Sequence, residues 1–412
     1  MTAMGTDTGT AGRVRYYREL GSWVVADRDL AQGALGHPAL SSGTLDAGSY
    51  LPADTRAQCA ELLDVLGRWF VFLDGDEHTG ARRAMQRLFS PGRIRRLGDE
   101  IQAIVVQALE EFPQDGTGEA VSRLAEVVSA RSMARMLGLR PTDAGRLHAW
   151  AGALSDFLAT SYRRDHALRA QQALREMGAY IRESADDPDS IWSLTGGDDR
   201  DRLATCSLML FGGLETTASL MGLSLWYVLE NGLAAVVRDP GESAEVEAVV
   251  ERVLELFPPL GHVARTASAD LEVGGCPIAR GDLVLVSLTG RDPFEGQRGP
   301  ARPPAHTRGG RRSDHLAFGH AMHYCMGATL ARMEASLLLR LFCERYPDAR
   351  VRDAVWGRNR TYRGLSRLLV ELHGADAASP SPAPSPSLPL PPSSSRTGEP
   401  TNDPEQREPA QW

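Results

Sequence analysis

The sequence predicts a mainly α-helical protein with small β-sheets, an α+β arrangement. Apolar residues recur at helical spacing in five long stretches, which span residues 97–112, 120–137, 143–158, 167–181 and 203–233. Between 271 and 287 apolar residues alternate instead, interrupted by a Gly-Gly pair, as is typical of short β-strands. A hydrophobic content of 42% and a charged content of 24% are ordinary for a soluble globular protein.

Shorter helical patterns complete this arrangement. They cover residues 54–66, 77–88 and 245–257 and a face formed by Leu330, Met333, Leu337 and Leu341. From 14 to 30 no single period dominates, so the pattern there predicts neither helix nor strand.

Composition limits the partners and the compartment. The formal net charge of -8 disfavours nucleic acid and anionic membranes, since both attract surplus Lys and Arg. Residues 1–12 contain no apolar run that could act as a signal peptide or anchor. Five scattered cysteines fit reduced thiols better than disulfides. We therefore expect a cytoplasmic protein, with a flexible leader over 1–12 and a disordered Pro- and Ser-rich tail over 373–412.

The most informative stretch runs from Phe318 to Gly327 and contains Cys325. The cysteine lies in a glycine-flanked loop just before a predicted helix, whose free N–H groups and positive end favour a thiolate. Gly319 and Gly327 remove side chains where the backbone could pass close to a flat ligand. A buried structural cysteine in a glycine-rich turn is the alternative.

The pattern Phe318-Gly319-x-x-x-His323-x-Cys325-x-Gly327, preceded by His315-Leu316-Ala317, resembles the haem-binding loop of the cytochrome P-450 superfamily. The resemblance extends over about residues 13–372. It implies one P-450 domain that holds haem b, iron protoporphyrin IX, between a central helix and this loop. In the family the cysteine thiolate is the axial ligand of the iron, which here corresponds to Cys325.

Two further stretches match propionate-binding positions of the family. His78 and Arg82 are four residues apart, hence on one face of a predicted helix, and resemble the family's His-x-x-x-Arg. Arg265 follows Pro259 and lies where the family has its second propionate-binding arginine, and His323 completes the set. The spacing alone is also common on solvated helix faces.

The long apolar stretch 203–233 contains Gly212-Gly213-Leu214-Glu215-Thr216. Two glycines inside a helix cost about 1 kcal/mol each relative to alanine, and hydroxyl groups can bond to the carbonyls that a local opening frees. The run resembles the family's central helix, where the acid and the threonine bind water and guide protons. By this resemblance Glu215 and Thr216 are catalytic, and Gly212 and Gly213 leave space for dioxygen. A close helix–helix contact is the alternative.

The resemblance also indicates pocket residues. Trp69 and Phe72 lie in an aromatic cluster that corresponds to the family's loop over the distal haem face, and core packing explains them equally well. Leu214, His262 and Val263 occupy positions that face the pocket in the family.

One segment departs from the family. Where the family has Glu-x-x-Arg before a proline, this chain has Arg252 and Glu255 in reversed order, followed by Pro258. An unpaired buried charge typically costs several kcal/mol. We therefore expect Arg252 and Glu255 to pair with each other, with an arginine from 298–312 completing the network.

The resemblance implies a haem-thiolate monooxygenase that oxidises a small organic molecule, plausibly in secondary metabolism, with O2 and electrons from a ferredoxin or flavodoxin. The rival hypothesis is a member of the family that has lost oxidation and serves as a scaffold or activator of a partner enzyme. The reversed pair and an Arg-, Pro- and Gly-rich segment at 294–314 favour the rival. Cys325, Glu215 and Thr216 favour oxidation.

Overall fold

A computed structural model describes most of the chain. The described ranges are 13–43, 48–140, 143–183, 191–239, 243–295, 299–300, 302–306, 315–359 and 361–372. The predicted leader 1–12 and tail 373–412 lie outside them, as does much of the segment 294–314.

Helices account for most of the described structure. The α-helices are α1 Arg28–Leu35, α2 Ala53–Gln58, α3 Ala60–Gly67, α4 Gly75–Gln86, α5 Pro91–Glu111, α6 Glu126–Leu137, α7 Ala144–Ala159, α8 Arg164–Arg182, α9 Ile191–Leu194, α10 Asp199–Glu230, α11 Ala234–Val237, α12 Ser243–Leu256 and α13 Ala328–Arg345. Every helix predicted from apolar periodicity is present, so the mainly α-helical class is confirmed.

Ten short strands form three sheets. The strands are β1 Val14–Tyr17, β2 Ser22–Val25, β3 Leu40–Ser41, β4 Gly116–Glu119, β5 His262–Ala267, β6 Leu271–Val273, β7 Cys276–Ile278, β8 Leu283–Ser287, β9 Arg350–Trp356 and β10 Leu365–Leu372. The largest sheet has the order β1-β2-β8-β5-β3, with β2 and β8 parallel and the other neighbours antiparallel. The other two are β4-β10-β9 and the hairpin β6-β7.

The predicted helix at 54–66 is two helices, α2 and α3. Cys59 stands between them with φ -103° and ψ 17°, and its N–H group ends α2 by donating to the Thr55 carbonyl at 2.9 Å. The Leu62 N–H lies in the first turn of α3, where helix N–H groups have no partner within the helix. It donates to Oε1 of Gln171, on α8, at 2.9 Å. A side chain from a distant helix thus stabilises a break that the local pattern does not predict.

The predicted helix at 120–137 begins as a wider π-helical turn over Val121–Ala125 and becomes α-helical at Glu126. Glu119 explains this start, because its carboxylate accepts the N–H groups of Val121 at 3.1 Å and Ser122 at 2.6 Å. The same carboxylate accepts the Leu368 N–H at 2.8 Å. One acidic side chain therefore joins the first turn to β10.

The central helix α10 organises the core. An Asp198–Asp201 capping box begins it, with Asp198 accepting the Arg200 and Asp201 N–H groups, which would otherwise lack partners at a helix start. Helices α3, α6, α7, α12 and α13 all contact it. It is long and apolar enough to cross a membrane, but 67% of its most apolar window is buried inside the protein. We therefore interpret α10 as a core helix.

Apolar side chains pack into two clusters. The larger cluster surrounds α10 and contains the buried rings of Trp69, Phe157 and Trp226. The smaller one lies under the five-stranded sheet and includes Val25, Val284 and Leu316. Leu316 precedes the cysteine loop, so the sheet-side core supports the start of that loop.

Candidate active site

The cysteine loop, residues 315–327, leads directly into α13. Gly327 is the N-cap residue of this helix. The Cys325 N–H donates to the Phe318 carbonyl at 2.8 Å, and the Gly319 N–H donates to the Leu316 carbonyl at 2.8 Å. These two bonds fold the loop so that Cys325 lies at the positive end of α13.

One of the two loop glycines is required by the backbone. Gly319 has φ +72°, and a Cβ there would lie 3.3 Å from the His323 carbonyl oxygen. Since φ above zero disfavours other residues, Gly319 fixes the turn. A Cβ on Gly327 would lie 3.9 Å from Cys325 Sγ, an ordinary van der Waals distance, so the predicted need for glycine at this position stays a prediction.

The electrostatic environment of Cys325 has opposing contributions. Cys325 has exposed surface although protein surrounds it closely, so it lines an internal cleft. Burial raises the pKa of its thiol, and the N–H groups of Gly327 and Ala328 with the charges of Arg82 and Arg332 act in the opposite direction. These N–H groups and arginines favour the thiolate form of Cys325, whereas burial disfavours it.

His78 and Arg82 lie on α4, next to this loop. Arg82 Nη2 donates to the Tyr324 carbonyl at 2.6 Å, beside Cys325. His78 is 2% exposed, and its Nε2 has no hydrogen-bond partner among the residues that the structure describes. Burial, with the charge of Arg82, lowers the pKa of His78. The side chain is therefore a neutral imidazole with one ring nitrogen free for a ligand.

His323 and Arg265 complete the group. The rings of His78 and His323 lie 4.4 Å apart, and within the described ranges Nδ1 of His323 also lacks a partner. Burial, with the charges of Arg265 and His78, lowers the pKa of His323 to about 4. Arg265 is 6% exposed, and its guanidinium donates to the neighbouring Ala264 carbonyl at 2.8 Å. The structure thus brings His78, Arg82, Arg265 and His323 together.

Asp74 and Ser42 hold His323 and were not predicted from the sequence. His323 Nε2 lies 3.2 Å from Ser42 Oγ and 3.7 Å from Asp74 Oδ1. Burial opposes ionisation of Asp74, but its hydrogen bonds with Ser41, Ser42 and Gly43 outweigh burial and lower its pKa. Ser42 and Asp74 are far apart in the sequence, and neither belongs to a local pattern that would signal this role.

The two glycines of α10 have different surroundings. A Cβ on Gly213 would lie 1.9 Å from Cε of Met133, on α6, whereas a Cβ on Gly212 would meet no described atom within 4 Å. Thr216 Oγ1 donates to the Gly212 carbonyl at 2.6 Å. Gly213 therefore serves the helix–helix contact, and Gly212 leaves open space. Their predicted role toward dioxygen stays a prediction.

Glu215 faces α7. A Cβ on Gly152 would lie 3.6 Å from its Oε1. Burial raises the pKa of Glu215 to about 7, and the charges of Asp156 and Glu126 add to the shift while the nearby Ser155 hydroxyl opposes it. Glu215 can therefore gain or lose a proton near neutral pH.

The predicted pocket residues differ in exposure. Trp69 and Leu214 are fully buried, and Trp69 Nε1 donates to Ser207 Oγ at 3.0 Å. Phe72 and Val263 are half-buried. His262 is 9% exposed, and burial lowers its pKa to about 4. Their predicted contacts with a substrate stay predictions.

Two aromatic residues join this region to α10. Phe211 lies one residue before Gly212, and its ring lies 5.7 Å from Tyr362 at a T-shaped angle. Burial, with the negative charge of Glu215, raises the pKa of Tyr362. The charge of Glu215 acts on Tyr362, so the two side chains lie near each other.

The residues present fit a haem. Cys325 offers one thiolate to an iron, and two buried imidazole nitrogens, on His78 and His323, lack other partners in the described ranges. With Arg265 and Arg82 they form a cationic and hydrogen-bonding group suited to two carboxylates. A Cβ on Gly212 would meet no described atom within 4 Å, so α10 has open space at this position.

Known proteins resemble this chain over most of its length. It is 28% identical to 6-deoxyerythronolide B hydroxylase of Saccharopolyspora erythraea, covering 86% of this chain and 91% of the relative. It is 31% identical to cytochrome P450-SOY of Streptomyces griseus, covering 80% of each. The crystal structure of epothilone D-bound cytochrome P450epoK superposes with a TM-score of 0.76, at 20% identity and 89% and 94% coverage. No family model matches the chain.

Proposed function

This chain belongs to the cytochrome P450 superfamily and is a haem-dependent monooxygenase of the bacterial type, and we propose that Cys325 is the axial ligand of its haem iron. One observation carries this proposal. Cys325 is a cysteine with exposed surface at the N-terminus of α13, and four groups suited to the haem carboxylates lie around its loop.

Bound haem supplies the iron centre at which dioxygen is activated. Cys325 would bind as a thiolate, which the N–H groups of Gly327 and Ala328 stabilise together with Arg82 and Arg332. His78 and His323 would donate hydrogen bonds to the haem carboxylates, and Arg265 would neutralise their charge. In His323 the ring proton is then on Nδ1, and Nε2 accepts the hydroxyl of Ser42, 3.2 Å away. Asp74 holds Ser42 in place by accepting its N–H at 3.2 Å.

Proton transfer is assigned to Glu215 and Thr216, both on α10. The Glu215 carboxyl, with a pKa of about 7, can take a proton from solvent and release it at physiological pH. The Thr216 hydroxyl donates to the Gly212 carbonyl, so its oxygen remains able to accept a hydrogen bond from water. These groups hold water beside the open space at Gly212.

The substrate is a small, largely apolar organic molecule of secondary metabolism. This class is supported by the relative named as a 6-deoxyerythronolide B hydroxylase. It is also supported by the aromatic rings of Phe211, Tyr362 and Phe72 near the cleft. The proposal further includes haem b as the cofactor, a ferredoxin or flavodoxin as the electron donor, and a cytoplasmic location.

The test is the carbon monoxide difference spectrum of the reduced protein. Wild type should give a thiolate-type band, and Cys325→Ser should lose it. Cys276→Ser is the matched control, because Cys276 lies half-buried on β7, with its Sγ 3.9 Å from the Val14 carbonyl oxygen, and should keep the band. A thiolate-type band in Cys325→Ser would contradict the ligand assignment.

The scaffold hypothesis loses its main support in the structure. It depended on the reversed pair, and Arg252 Nη1 donates to Glu255 Oε2 at 2.6 Å, which confirms the expected pairing. The predicted third partner is found nowhere in the described part of 298–312, where Arg302 lies 3.4 Å from Glu230 instead. Neither guanidinium nor carboxylate of the reversed pair is therefore left without an opposite charge.

A further inference from the structure

The reversed pair does not reach the cysteine loop. Arg252 and Glu255 both lie on α12, three residues apart, and their side chains are 30% and 37% exposed. Besides each other, they have Tyr227 of α10 nearby. Such partly solvated pairs within one helix contribute little to stability. The pair therefore cannot fasten α12 to the loop that carries Cys325.

Glu251, one residue earlier, does reach the loop. Its Oε1 accepts Nε of Arg332, and its Oε2 accepts Nη2 of Arg332 at 3.1 Å and Nε2 of His315 at 3.2 Å. The Glu251 side chain is 14% exposed and that of His315 is 5% exposed. A half-buried carboxylate thus binds one partner before Cys325 in the chain and one after it.

The hydrogen bonds define the state of each partner. His315 Nδ1 accepts the Ala317 N–H at 3.3 Å, so the ring proton is on Nε2 and points at Glu251. Burial opposes ionisation of Glu251, but its bonds with His315 and Arg332 outweigh burial and lower its pKa to about 2. The carboxylate is therefore ionised near neutral pH. It binds Arg332 in the bidentate geometry that favours strong pairs.

From Arg332 the contact continues to the cysteine. The Arg332 guanidinium lies 4.4 Å from the centre of the Phe318 ring, within the range of a cation–π contact. The Phe318 carbonyl accepts the Cys325 N–H. The positive charge of Arg332 also favours the thiolate form of Cys325. Glu251 thus holds both the backbone that presents Cys325 and a charge that supports its ionised state.

We propose that Glu251 is a positioning residue that fastens the cysteine loop to α12 through His315 and Arg332, in place of the Glu-x-x-Arg pair whose order is reversed in this chain. The proposal rests on Cys325 as the haem ligand. Loss of Glu251 frees Arg332 and His315 together, so that Phe318 and the Cys325 backbone lose their support. The thiolate then protonates or leaves the iron more readily.

The experiment compares Glu251→Gln with Glu255→Gln, two substitutions of the same chemistry on the same helix. Holoprotein of each is reduced under carbon monoxide in a low concentration of guanidinium chloride, and the conversion from thiolate-type to thiol-type band is followed in time. Glu251→Gln should convert on the order of tenfold faster than wild type, since it breaks a half-buried bidentate pair with Arg332, and hydrogen bonds to charged groups are the strong ones. Glu255→Gln should stay within about twofold, because its pair is partly solvated.

Equal conversion rates for the two variants, or a larger effect in Glu255→Gln, would overturn the proposal. If Glu251→Gln is recovered unfolded, Arg332→Lys decides, because it keeps the charge but loses the bidentate bond. Faster conversion in Arg332→Lys supports the proposal, and an unchanged rate overturns it.

A wild-type protein without a thiolate-type band would refute the Cys325 assignment, separately from the role of Glu251. In that case the melting temperatures decide on Glu251. A drop confined to Glu251→Gln supports its fastening of the loop, and equal melting temperatures in both variants contradict it.

Discussion

Two polar clusters beside the cysteine loop treat their polar groups in opposite ways. Around Glu251, the carboxylate has three hydrogen bonds, and the Cys325 N–H is bonded within its loop. In the second cluster, the rings of His78, on α4, and His323, in the loop, lie 4.4 Å apart. Here Nε2 of His78 and Nδ1 of His323 remain without partners among the described residues.

This difference separates groups that support the cysteine loop from groups that are assigned to binding and reaction. Paired groups around Glu251 hold the backbone of the cysteine loop in place. An unpaired buried polar group costs free energy, and the two unpaired imidazole nitrogens are those proposed to bind the haem carboxylates. The contrast predicts different effects of substitution in groups that support the fold and in groups assigned to haem and proton transfer, and the following changes test it in order of expected size.

The largest effect is expected for Arg265→Met. Hydrogen bonds to charged groups contribute about 1.5–3 kcal/mol, so haem should transfer to an acceptor protein roughly tenfold to a hundredfold faster. The haem-free variant should melt at a higher temperature than haem-free wild type, because a buried charge is removed. Arg340→Met, at a partly exposed pair with Glu344 on α13, is the control and should leave both quantities unchanged. A lower melting temperature of haem-free Arg265→Met would show that Arg265 supports the fold itself.

A smaller effect is expected at Glu215, whose pKa of about 7 exceeds the unfolded value of about 4.3. Between these values the folded state binds more protons than the unfolded state, so the free energy of unfolding falls as pH rises. Glu215→Gln removes this fall. Relative to pH 4, the variant should gain on the order of 2 kcal/mol over wild type at pH 8, measured by urea unfolding. Glu110→Gln, at an exposed position on α5, is the control. Parallel pH profiles for wild type and Glu215→Gln would refute the raised pKa.

The smallest effect separates the two glycines of α10. Alanine favours a helix over glycine by about 1 kcal/mol, and Gly212→Ala meets no described atom within 4 Å. It should raise the free energy of unfolding by up to about 1 kcal/mol. Gly213→Ala should gain less, because Met133 Cε must move, and should recover the gain in a Met133→Ala background. Equal gains in the two single variants would mean that Gly213 does not serve the contact with α6.

The local pattern of the chain predicted much of the site. Cys325 before a helix, His78 and Arg82 on one helix face, and Glu215 in an apolar helix are all where the sequence predicted them. Such positions depend on residues that are only a few places apart in the sequence, so the local sequence is enough to predict them. The motif also led to the correct family, and the comparisons confirm it.

Contacts between distant residues could not be predicted. Gln171 stabilises the break before α3, Glu119 joins the first turn of the 121–137 segment to β10, and Asp74 holds His323. Each of these contacts joins residues from separate parts of the chain, so no local periodicity in the sequence indicates it. The reversed Arg252–Glu255 order is equally misleading on its own, because Glu251 has the partners that matter.

The sequence by itself determined the helices, the cysteine loop and the types of side chain available for haem and for proton transfer, because apolar periodicity and glycine positions act over short distances. Only the tertiary structure decided which carboxylate supports the cysteine, which glycine opens the cleft, and which buried imidazoles stay unpaired. Those outcomes depend on burial and on the meeting of distant charges, and both exist only once α10, α12 and α13 have packed together.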